Sequence, residues 1–136
     1  KPPDTNDNGF YLDWLHVLFC TEIQTTQRWQ TLSQLTRSGE RPEACHLLTE
    51  YINLTQALSI GQSRPCQLQL YYIVYTDLLE AICDPLVSRH WRENCLNHLF
   101  QPILVLNRLA CTEPLKQRVQ QLDRQATQLS HYFLSR

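Results

Sequence analysis

A chain of 136 residues, 43% apolar and 18% charged, is long enough to bury a core without metals or crosslinks and too apolar for a disordered tail. Its formal net charge of -1 gives no field to attract nucleic acid or an anionic membrane, and its basic residues, mostly arginine, are scattered along the chain. No run approaches the ~20 consecutive apolar residues that cross a bilayer, so neither nucleic-acid binding nor membrane insertion is expected.

The opening stretch "KPPDTNDNG" is polar and rich in turn formers. It reads as a flexible N-terminal segment, 1–9, ahead of a single all-α domain over 10–136. It does not have the pattern of an uncleaved signal peptide. With no methionine at position 1, the chain reads as a mature product or an excised piece of a longer protein.

Beyond that segment the punctuation is regular. Pro42, Pro65, Pro85, Pro102 and Pro114 each precede a run of helix formers, where a fixed φ and a missing N–H do no harm. Gly39 and Gly61 follow such runs and suit the left-handed position that ends a helix. Ser63, Asp84 and Thr112 offer side-chain oxygens as N-caps. Helices are therefore expected at roughly 10–23, 26–37, 42–59, 65–83, 85–100, 102–111 and 114–134.

Within the fourth of these, "LQLYYIVYT" is rich in strand-forming residue types. Leu68, Tyr71, Tyr72, Tyr75, Leu78, Leu79 and Ile82 nevertheless fall at helical spacing, and Leu70, Ile73, Val74 and Ala81 form a second apolar face. A helix apolar on two sides belongs in the middle of the domain. Pro102 interrupts "HLFQPILVL", where its ring would clash with the His98 carbonyl, so a kink or short break is expected there. In the last helix Leu115, Val119, Leu122, Ala126, Leu129 and Phe133 make one stripe for one neighbour. The fold class is all-α: six to seven antiparallel helices with short links, as an irregular helical bundle or a short α-solenoid-like stack.

Six cysteines are even in number and high for this length. With helices running up and down, Cys45 pairs topologically with Cys83, Cys66 with Cys111, and Cys20 with Cys95, one of fifteen possible sets. The other reading is six small buried thiols, as their apolar settings "LFC", "AIC" and "LAC" suggest. Reduced thiols, and with them an intracellular setting, are ranked ahead of a disulfide framework and secretion. The sequon Asn53-Leu54-Thr55 would suit secretion, but one such triplet is expected by chance.

The metal reading rests on His16 with Cys20 and Cys95 with His98. Each pair shares a helical face, and the four together would make a Cys2His2 set for zinc if the two helices met. Neither pair has the CxxC spacing of a familiar zinc module, so core packing of Cys95 beside a partly exposed His98 is preferred, and no cofactor is expected. The chain has no GxSxG, HExxH, GxGxxG or GxxxxGK[ST] pattern. Asp77 and Glu80 read as a solvated polar strip on the fourth helix.

The function expected is a non-catalytic helical protein–protein interaction module, a fragment or subunit of a larger scaffold or complex. Candidate contact residues are Phe10, Tyr11, Trp29, Trp91 and Arg92, residue types that dominate binding hot spots. The alternative is a secreted, disulfide-bonded helical ligand of cytokine type or a small receptor ectodomain. Its weakness is the absence of the two long crossover links that cytokine topology needs.

Overall fold

The computed structural model describes residues 13–134. The expected flexible segment 1–9 lies outside them, as do Phe10 and Tyr11. The described residues form seven helices: α1 (Trp14–Leu18), α2 (Gln27–Ser38), α3 (His46–Ser59), α4 (Arg64–Cys83), α5 (Arg89–His98), α6 (Phe100–Leu109) and α7 (Glu113–Leu134). No strand occurs among them.

Side-chain caps fix most of the helix starts. Asp13, Thr26, Ser63, Ser88 and Thr112 each accept from the backbone N–H three residues on, satisfying a donor that the first turn leaves free. Ser63 and Thr112 act as expected. Asp84 does not begin a helix. It closes α4, its carboxylate accepts from Leu86 N–H at 2.9 Å, and the turn Asp84–Val87 delivers Val87 to the interior before Ser88 caps α5. Pro42 likewise stands in a turn that buries Ala44, so α3 starts at His46 and not at 42. The first helix is much shorter than expected. After Leu18 the β-branched residues Thr21, Ile23, Thr25 and Thr26 lie outside any helix, consistent with their stiff χ1 and weak helix propensity.

α4 is the axis of the bundle and packs against all six other helices. Both of its apolar faces are buried: Leu68, Leu70, Tyr71, Val74, Tyr75, Leu78, Ala81 and Ile82 all lie in the core. A stack in which each hairpin met only its neighbours would have no such hub, so the architecture is a bundle and not a solenoid. The break at Pro102 falls at Leu99, which separates α5 from α6 with helical dihedrals and donates to the Leu96 carbonyl at 3.2 Å. α7 follows the expected stripe through Leu115, Val119, Leu122 and Ala126, then drifts to Ser130 and Leu134 in place of Leu129 and Phe133. The drift is that of a 3.6-residue turn against a strict seven-residue repeat. It lets α7 contact α1, α4, α5 and α6, and not the single neighbour expected.

Candidate functional site

Three of the five expected contact residues prove to be interior. Trp29 is buried, and its indole N–H donates to Thr55 Oγ1 at 2.8 Å. Trp91 is 0% exposed and donates to the Thr36 carbonyl at 3.0 Å. Arg92 is buried with its guanidinium on the Ile82 and Phe133 carbonyls, at 3.0 and 3.1 Å. It thereby ties the end of α4 to the end of α7. These side chains hold the core together and present no contact face. Large polar-tipped residues suit that task as well as they suit hot spots, because one end packs while the other satisfies a carbonyl.

Asp77 is the polar residue that sequence periodicity misplaced. It is 2% exposed and not part of a solvated strip, whereas Glu80 is exposed. Ser33 and Tyr51 donate to its Oδ2, and Arg37 lies 3.0 Å from its Oδ1. Burial pushes the Asp77 carboxyl above its ordinary value, and the three donors hold it back. Burial, and then the neighbouring Asp77 charge, push the Tyr51 phenol up. The cluster joins α2, α3 and α4 and serves as an internal brace.

The six cysteines are free thiols, and none of the three expected pairs forms. Cys20 Sγ instead lies 2.9 Å from Cys66 Sγ. Because α1 ends early, the chain at Cys20 turns across the start of α4 and away from Cys95. Cys45 faces His90 Nε2 at 3.5 Å on the surface. Cys95 is buried, its thiol pushed up to about 12, first by desolvation. The proposed zinc set does not assemble either: the ligand atoms that come within 4.8 Å of one another among the described residues belong to Cys20, Glu22 and Cys66. His98 instead lies with Nδ1 2.8 Å from the Asn94 carbonyl of its own helix.

α6 carries an exposed apolar ridge. Phe100 and Leu104, one turn apart, are 63% and 64% exposed on its outer ridge, with Arg108 one turn further on. A cleft of about 260 Å³ lies along the Phe100 side, lined by Leu96, Leu99, Ile103, Ala126 and His131. A second cleft, of about 280 Å³, lies along the Leu104 side, lined by Ile52, Tyr71, Val105 and Arg108. A ridge of i, i+4 apolar side chains between two grooves is the relief into which another helix packs. The sequence carried part of this signal: Phe100 and Leu104 fall off the buried Ile103–Leu106 face, but the run "PILVL" is apolar all round and does not say which members stay outside.

No helix among the described residues is long and apolar enough to cross a membrane. No protein-family model, curated protein or solved structure matches the chain.

Proposed function

We propose that this chain is a non-catalytic helical module that binds another protein through the α6 ridge, as one part of a larger assembly. The observation that carries the reading is the pair Phe100 and Leu104, more than half exposed one turn apart between two grooves. The partner that fits is an amphipathic helix. Its apolar side chains would fill the grooves on either side of α6, and an acidic residue at one end would meet Arg108.

The test is site-specific photocrosslinking in cells that make the protein, with the reactive residue at 100, at 104, and at Gln120 on the exposed side of α7. Under the proposed reading one protein crosslinks at 100 and 104, is absent at 120, and is lost when the position-100 probe is combined with Leu104→Glu. Equal crosslinking at all three positions, or none above background at 100 and 104, removes α6 as the contact face.

One contact favours a second reading, the disulfide-bonded secreted ligand or ectodomain: the approach of Cys20 to Cys66. Extraction from the medium, as against the cell, separates the two readings.

A further inference from the structure

We infer that Cys20 and Cys66 are a disulfide-forming pair, a covalent crosslink that joins the segment after α1 to the start of α4. The inference is independent of the α6 reading.

The sulfurs are 2.9 Å apart, well inside the distance at which two unbonded sulfurs touch and less than an ångström from the ~2.05 Å of a disulfide bond. The backbones on either side are already fastened in that register. Gln62 pairs with Gln24 through both its amide oxygen and its amide nitrogen, each at 3.1 Å, and Gln69 donates to the Leu18 carbonyl at 3.3 Å. Residues 18 and 24 flank Cys20, and residues 62 and 69 flank Cys66. Closing the bond therefore asks for movement of two side chains and little from the main chain.

The two thiols differ in access. Cys20 is half-buried and lines an open cleft with His16, Phe19 and Pro65. Cys66 is 1% exposed, and burial, together with the hydrogen bond its thiol donates to Cys20, raises its thiol. Cys20 is accordingly the first sulfur to react with a low-molecular-weight disulfide such as oxidised glutathione. Its thiolate attacks one sulfur, a glutathione thiolate leaves, and a mixed disulfide forms at Cys20. The Cys66 thiolate then attacks the Cys20 sulfur and expels the second glutathione thiolate. The protein loses two hydrogens, the oxidant gains two electrons, and the two protons end on two glutathione thiols.

Cys66 and Cys20 are 46 positions apart, so the crosslink encloses all of α2 and α3. Glu22 lies beside both sulfurs, and the three could otherwise hold a soft divalent cation.

The full chain is incubated with oxidised glutathione, alkylated, cleaved after glutamate and weighed. Such cleavage separates Cys20, Cys45, Cys66 and Cys83 onto different peptides. The expected product is the Cys20 peptide joined to the Cys66 peptide, two hydrogens lighter than their sum and released by reductant. It should be absent in Cys20→Ser and retained in Cys83→Ser. Cys20→Ser is partly exposed and so preserves the core. The inference is overturned if both peptides emerge separately alkylated.

Discussion

Trp91 and Gly39 meet edge to backbone in the interior. The Trp91 indole crosses α2 at its C-terminus to reach the Thr36 carbonyl, and Gly39, at φ +62, leaves the space through which it passes. A Cβ on Gly39 would stand 2.6 Å from Val87 Cγ1 and 2.9 Å from Trp91 Cδ1. Gly39→Ala therefore combines a left-handed alanine with a forced shift of two core side chains, and should cost about 2–4 kcal/mol. Trp91→Ala, which empties a fully buried site, should cost about 3–5 kcal/mol. Denaturant titration with unchanged slope measures both. A loss under ~0.5 kcal/mol for either would mean that the indole is not packed as described.

Asp77 gives a second test of the interior. Asp77→Ala leaves the Tyr51 hydroxyl and Ser33 without their acceptor and should destabilise by about 3 kcal/mol, while Tyr51→Phe, which removes one donor and keeps the ring, should cost about 1 kcal/mol. Equal losses for the two variants would contradict a shared carboxylate hub.

The sign of the pH effect follows from the direction of the Asp77 shift. A carboxyl raised above its ordinary 3.8 by burial binds its proton more tightly folded than unfolded. Its contribution is then complete below the unfolded value and declines as pH rises through the folded one. The stability advantage of the wild type over Asp77→Asn should shrink between acid and neutral buffer. Growth of that advantage toward neutrality would show that the donors from Ser33, Tyr51 and Arg37 outweigh desolvation.

Phe100 and Leu104 should behave in the opposite way from Trp91. With more than half of each side chain in solvent, Phe100→Ala and Leu104→Ala should change unfolding free energy by no more than about 0.5 kcal/mol. A loss near 2 kcal/mol for either would place that side chain in the core and withdraw it from the contact face.

How much of this was legible beforehand depends on the residue. The helices, the hub role of α4 and the left-handed glycines follow from proline spacing, two-faced apolar periodicity and the absence of a Cβ, all properties of short stretches. The contact face did not follow, because Trp, Tyr and Arg are chosen both for hot spots and for interior sites that need a polar tip, and the sequence around Trp29 and Trp91 is the same in either case. Asp77 was missed because its partners, Ser33 and Tyr51, arrive from two other helices. None of the three expected cysteine pairs formed, and for Cys20 and Cys66 the cause lies in the first helix. The β-branched run after Leu18 ends α1 early, and a five-residue helix carries Cys20 to Cys66, where a fourteen-residue one would have aimed it elsewhere.

Thiol accessibility offers a direct check on that arrangement. Cys111 is exposed just beyond α6, whereas Cys95 is fully buried and desolvation pushes its thiol up to about 12. Alkylation proceeds through the thiolate, so exposure favours Cys111, while burial and the raised thiol both hold Cys95 back. Under reducing, native conditions near neutral pH, iodoacetamide should label Cys111 early and leave Cys95 unmodified until the protein unfolds. In moderate denaturant the labelling rate of Cys95 should follow global unfolding, since its site lies between α5 and the core and opens only with them. Cys95 labelling as fast as Cys111 in the native state would mean that α5 is not seated on α4, and the Arg92 bonds to Ile82 and Phe133 would be lost with it.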